Sequence, residues 1–227
     1  MKTKNRIWPY LFLIMGVILI LVNKCEKDEE EEKITDEDGN VYTSVTIGTQ
    51  VWMVENLKTT KFNDGSSIPN IKDGSAWGSL TTPGYCWYDN DMANKSTYGA
   101  LYNWYTINNY KLCPDGWHIP TDAEWTILIN YLGGENVAGG KLKEVGTSHW
   151  ISPNNGAADE FGFTALPGGY CADNGDFNYI DHYGVWWCSP ECSPATAWDQ
   201  TLFFDRSGVL SECDDKKYGF SVRCLGD

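Results

Sequence analysis

The chain has 227 residues, with 17 Lys and Arg against 31 Asp and Glu and a formal net charge of −14. A surface this acidic repels phosphate backbones, which excludes nucleic-acid binding through a basic face. Aromatic residues make up 14% of the chain, including 11 Trp, beside 23 Gly; that composition excludes a disordered chain and a coiled coil. In chain order the first element is a basic start, Lys2, Lys4 and Arg6, leading into an uncharged run from Ile7 to Val22. This pattern reads as a secretory signal over residues 1–24. The run's 16 residues fall short of the about 20 that a membrane span needs.

Residues 26–38, EKDEEEEKITDED, carry nine acids against two lysines. Such a stretch cannot bury apolar surface and is expected to stay extended and solvated, as an acidic tether over residues 25–38. A cysteine that ends an apolar signal and opens a polar tether resembles a bacterial lipoprotein, with Cys25 as the acylated lipid anchor. The acids directly behind it, Glu26-Lys27-Asp28-Glu29, resemble the surface-export signals of Bacteroidota lipoproteins. Lys24 departs from that pattern, which places Gly, Ala or Ser before the cysteine. The location implied is the bacterial outer membrane, held by the lipid anchor alone and facing the cell exterior.

Seven further cysteines follow: Cys86, Cys113, Cys171, Cys188, Cys192, Cys213 and Cys224. An exported chain is oxidised, so disulfides are the default reading. No CxxC pair occurs, and His118, His149 and His182 lack zinc-ligand spacing. Seven is odd, so at least one thiol is left over, and spacing alone leaves the pairing open.

Residues 39–227 read as one domain. Val41, Thr43, Val45 and Ile47 alternate with polar neighbours as a strand, and Gly48-Thr49 turns the chain into a partner at Gln50–Val54. Residues 63–84 read as a long loop rich in Gly, Ser, Asn and Pro. A first helix is expected over Tyr98–Asn109, with Leu101, Trp104, Tyr105 and Asn108 on one face. A second opens with the capping box Thr121-Asp122-Ala123-Glu124; Trp125, Leu128, Ile129 and Leu132 form its buried stripe, and Gly133-Gly134 ends it. Gly139-Gly140 lead into a short helical turn at Lys141-Leu142-Lys143. Short strands follow at Phe161–Leu166, Gly184–Ser189, Ala197–Asp205, Gly208–Glu212 and Gly219–Cys224, with a turn at Asp205-Arg206-Ser207-Gly208. Strands, two main helices, then strands again make an α+β domain with antiparallel sheets.

These stretches resemble the Fibrobacter succinogenes major paralogous domain. The resemblance rests on Asp38-Gly39-Asn40-Val41-Tyr42, Ile47-Gly48-Thr49-Gln50-Val51-Trp52-Met53-Val54-Glu55-Asn56-Leu57 and Tyr98-Gly99-Ala100-Leu101-Tyr102-Asn103-Trp104-Tyr105. It continues through Cys113-Pro114-Asp115-Gly116-Trp117-His118-Ile119-Pro120-Thr121-Asp122-Ala123-Glu124-Trp125 and closes at Tyr218-Gly219-Phe220-Ser221-Val222-Arg223-Cys224. The family looks like a branch of the C-type lectin-like fold, distantly similar to formylglycine-generating enzymes. That resemblance implies joined N- and C-terminal strands, long binding loops and a Cys113–Cys224 disulfide.

Three kinds of chemistry come into question. Calcium-dependent sugar binding would draw on the acidic loops Asp89-Asn90-Asp91 and Asp173-Asn174-Gly175-Asp176, with Asp89, Asp91, Asp173 and Asp176 as candidate Ca2+ ligands. The Glu-Pro-Asn, Gln-Pro-Asp and Trp-Asn-Asp motifs of calcium-binding lectins are absent, and Asn and Asp in such loops serve equally as turn formers. An oxidase would need two reduced, closely spaced thiols, for which Cys188 and Cys192 are the one close pair. Aromatic stacking on sugar faces would use Trp77, Trp87, Trp150, Trp186, Trp187 or Trp198, with Trp87, Trp186, Trp187 and Trp198 as the ligand-binding candidates. Neighbours on a strand face opposite ways, so one of Trp186 and Trp187 is expected to meet solvent. The reading is a non-enzymatic surface binding module for a glycan or an envelope protein. A structural subunit of an outer-membrane assembly is the alternative, and an oxidase the third.

Overall fold

The computed structural model describes residues 33–227; the signal segment, Cys25 and the tether up to Glu32 lie outside the described residues. The fold begins earlier than Gly39. Strand β1 (Ile34–Thr35) pairs antiparallel with β2 (Val41–Tyr42), and the Asp36 carboxylate between them accepts from the Tyr42 hydroxyl at 2.5 Å and the Asn40 side chain at 2.8 Å. The expected solvated stretch therefore gives up its last residues, because Asp36 finds donors only in the folded hairpin.

Strands β3 (Ser44–Ile47) and β4 (Gln50–Met53) form the expected hairpin around Gly48, whose φ of 64° suits the turn. This hairpin buries Ile47, Trp52 and Met53. Helix α1 (Gly74–Gly78) lies inside the expected loop 63–84. Asp73 caps it by accepting from the Ala76 amide at 2.8 Å, and buried Trp77 pins it through an indole bond to the Lys217 carbonyl at 2.7 Å.

The helix expected over Tyr98–Asn109 is broken into pieces. After β5 (Tyr85–Cys86) come α2 (Lys95–Tyr98), β6 (Leu101–Tyr102) and α3 (Trp104–Ile107). Gly99 breaks the run at φ 77°, where an added Cβ would sit 2.6 Å from the Leu57 carbonyl oxygen. Asn103 then restarts it as the cap of α3, accepting from the Thr106 amide at 3.1 Å. Leu101 and Tyr102 pair with β5 in between, so sheet pairing overrides the helical spacing.

Strand β7 (Trp117–His118) leads into α4 (Asp122–Tyr131). The capping box of α4 is formed: Thr121 Oγ1 accepts from the Glu124 amide at 3.2 Å, and the Thr121 amide donates to Glu124 Oε2 at 2.7 Å. Helix α5 (Glu135–Leu142) extends well beyond the expected turn. Gly139 and Gly140 are tolerated within it because a Cβ on either would strike the Gly208 or Gly156 carbonyl, so the helix packs backbone to backbone there.

Past Trp150 the expected strand Phe161–Leu166 is irregular, bridging only at Ala165 to Lys143. A hairpin of β8 (Gly168–Cys171) and β9 (Phe177–Ile180) appears instead. Strands β10 (Tyr183–Glu191), β11 (Thr196–Phe203) and β12 (Val209–Asp215) follow close to their expected places. The expected last strand, Gly219–Cys224, makes isolated bridges to Cys171, Tyr102 and Trp186, because it threads between several elements; the regular strand is β13 (Leu225–Gly226).

Two principal sheets result. One, ordered β3-β4-β13-β7, joins the N- and C-terminal parts of the domain, and the Cys113–Cys224 disulfide clasps the segments leading into β7 and β13. The other is ordered β12-β11-β10-β8-β9 and is mixed rather than antiparallel as expected, because β8 and β10 pair in parallel. Helices α4 and α5 cover one of its faces, burying Trp125, Leu128, Trp186 and Leu202 together. Part of the opposite face packs Val185, Trp187 and Ala197 against Tyr102, Phe220 and Val222. Lys143, fully buried, closes the end of α5 on the β11–β12 turn by donating to the carbonyls of Asn155, Phe203 and Arg206 at 2.9, 2.7 and 3.0 Å. The domain is α+β, mostly sheet with few helices.

Candidate functional site

The tryptophans singled out from sequence are structural. Trp87, Trp186 and Trp187 are all buried, as are Trp77 and Trp150. The expectation that one of the Trp186–Trp187 pair faces solvent fails because both faces of the large sheet are covered at that point. Trp186 lies 6.3 Å from the Trp125 ring and donates to Asn56 Oδ1 at 2.8 Å. Trp187 lies 4.3 Å from the Phe220 ring and donates to the Tyr102 carbonyl at 2.8 Å. Trp198 is partly buried against the helix-side core.

The acidic loops act as turn formers. Asp91 caps the next turn by accepting from the Ala93 amide at 2.9 Å, and Asp176 accepts from Asn174 Nδ2 at 2.7 Å within the β8–β9 turn. Asp89 and Asp173 are exposed. Among the described residues no three His, Cys, Asp or Glu side chains gather as metal ligands. Cys188 and Cys192 are not a dithiol: Cys192 is bonded to Cys213, while Cys188 is a buried thiol. His118 is clamped between Asp227, 2.6 Å from Nδ1, and Glu124, 3.1 Å from Nε2, which ties the chain's end to the cap of α4.

A different site forms where the second face of the large sheet is left open. Residues two apart on a strand share a face, and the registers Tyr183↔Phe203, Val185↔Thr201 and Asp199↔Glu212 place these side chains side by side. Tyr183, Val185, Thr201, Phe203 and Glu212, with Tyr170, Asp214, Tyr218 and Phe220, line a cavity of about 140 Å3, and Asp199 shares this sheet face beside Thr201. The rings interlock: Tyr170 is 5.6 Å from Tyr218 and 5.9 Å from Phe220, and Tyr183 is 5.0 Å from Phe203. Exposed Tyr179 stacks on Tyr183 at 4.5 Å and 11°. A cavity of ~150 Å3 accepts one benzene ring, so this space is about the size of a single six-membered ring.

The electrostatics are one-sided. Asp199 is wholly buried; Thr201 Oγ1 donates to its Oδ1 at 3.2 Å, and no donor reaches Oδ2. Burial, then the charges of Asp214 and Glu212, push the Asp199 carboxyl up to about 8, against the lowering effect of Thr201. Asp199 therefore keeps its proton at neutral pH. Burial and the Glu212 charge raise Asp214 as well. Burial, then Tyr218, Tyr179 and Asp214, raise Tyr170 to about 12, so it stays a phenol. Among the described residues, no Lys, Arg or His pairs with Asp199, Glu212 or Asp214.

Sequence reasoning missed this site. Its signal was the alternate spacing Tyr183/Val185, Asp199/Thr201/Phe203 and Glu212/Asp214, in which Tyr183 and Asp214 lie just beyond the expected strand bounds, and it becomes a site only when the strands are paired. A family model, Fibrobacter succinogenes major domain, matches residues 45–225. Neither a curated protein nor a solved structure matches the chain.

Proposed function

The chain belongs to the Fibrobacter succinogenes major domain family, and on that premise we propose that it is a non-enzymatic binding module of the bacterial cell surface. It holds a glycan or another extracellular component in the aromatic cavity, and Cys25 is its lipid anchor. The observation that carries this reading is the cavity itself: aromatic walls on a sheet face otherwise closed by core packing, with carboxylates and phenols at the edge. Aromatic faces bury the apolar side of a sugar ring, while phenol, hydroxyl and carboxylate groups bond its hydroxyls. A C-type lectin-like architecture is supported by the sheet that joins both ends of the domain and by the Cys113–Cys224 clasp.

The test is a glycan array probed with the detergent-solubilised full chain, in calcium and again in chelator. The expected result is retention that survives chelation and is lost in Tyr218→Ala. Retention lost on chelation would return the site to Asp89, Asp91, Asp173 and Asp176. No retained glycan in either condition would overturn the binding reading.

A further inference from the structure

We infer that the cavity selects saccharides that carry a free, protonated amino group. This rests on the glycan reading and names the chemistry that the site prefers within it. Three observations point the same way. First, the walls are largely aromatic, from Tyr170, Tyr183, Tyr218, Phe203 and Phe220. Ring faces are the negative poles of their quadrupoles and attract an ammonium group. Second, Glu212 and Asp214 line the same cavity without a basic partner, so their charge is uncompensated inside the protein. Lys216 is engaged elsewhere: it donates to Glu191 at 2.5 Å and to the Pro194 carbonyl at 2.9 Å. Third, Asp199 is wholly buried on the same sheet face, beside cavity-lining Thr201, with Oδ2 lacking any donor.

Each ligand class meets this wall differently. A neutral sugar would desolvate Glu212 and Asp214 while offering only hydroxyls, which leaves the carboxylates short of compensation. A uronate or a phosphorylated sugar would face like charge. An amino sugar stripped of its acetyl group places its ring against the tyrosines and its ammonium against the carboxylates. Hydrogen bonds between ionised partners are roughly twice as strong as neutral ones. An N-acetyl group removes the charge and adds bulk.

The experiment measures binding of four probes to the detergent-solubilised full chain by titration calorimetry: a β-1,4-linked glucosamine tetramer, its N-acetylated counterpart, the matching glucose tetramer and tetralysine. The glucosamine tetramer is expected to bind at least about tenfold more tightly than the other three, a gap corresponding to ~1.4 kcal/mol. Glu212→Gln, at an exposed position that leaves the fold intact, is expected to remove most of that preference, and Asp214→Asn the remainder. Equal binding of the three saccharides would overturn the inference and leave the glycan reading standing. Tetralysine binding as tightly as the glucosamine tetramer would also overturn it, in favour of a lysine-bearing protein partner. Absence of binding by all four would overturn the inference, while the glycan reading would stand or fall on the array.

Discussion

Replacing Asp199 by Asn should make the protein more stable at neutral and mildly alkaline pH. Asp199 is 0% exposed, receives one hydrogen bond from Thr201, and faces Glu212 and Asp214 on the neighbouring strand. Its carboxyl rises from 3.8 to about 8 on folding. Between those values the folded state holds a proton that the unfolded state has released. Stability therefore falls as pH rises through that window, by up to ~1.4 kcal/mol per pH unit. The full rise bounds the effect at about 6 kcal/mol near pH 8. Asn cannot ionise and keeps the shape, so the variant should match wild type within about 1 kcal/mol near pH 4. It should exceed wild type by at least about 2 kcal/mol near pH 8. The window is largely clear of other groups. Asp38 and Glu124 are lowered and act below it, while Lys143, lowered to about 8, and Arg223, lowered to about 9, act above it with opposite sign. Asp214, raised in the same direction, leaves a residual slope in both proteins. Urea unfolding across the pH series reads the difference directly. Parallel stability curves for the two proteins would refute the buried, protonated Asp199.

Two further outcomes follow from the packing. Trp187→Ala should cost about 3–5 kcal/mol of unfolding free energy, since the ring is buried against Phe220 and its indole bond to Tyr102 is lost; a variant of unchanged stability that merely loses ligand would contradict this placement. Alkylation in denaturant before reduction should label Cys86, Cys171 and Cys188 and spare Cys113, Cys192, Cys213 and Cys224, whereas the native protein should take up no label at these buried thiols. Mass-spectrometric detection of label on any of the four spared cysteines would break the assigned pairing.

Local signals translated well wherever the decisive forces were local. The Thr121 capping box, the Gly48 turn and the alternation along β10 to β12 act within a few residues and appear close to where the sequence places them. The helix expected from Tyr98 failed because Gly99 lies against the Leu57 carbonyl and Leu101-Tyr102 pair with β5, contacts far away in sequence. Trp186 and Trp187 were misread for a related reason: alternation shows that they face opposite ways, but not that each face has its own cover.

By itself the sequence determined the α+β class, the family and the acidic character, since these reside in motif order, short-range periodicity and a sum of charges. The tertiary structure alone decided where the cavity forms. The cavity needs Tyr170 from β8, Tyr183 and Val185 from β10, Thr201 and Phe203 from β11, Glu212 and Asp214 from β12, and the returning Tyr218 and Phe220. None of these residues is distinctive in its own segment. Their chemistry emerges when strand pairing brings rings and uncompensated carboxylates onto one open face, a juxtaposition set by long-range register.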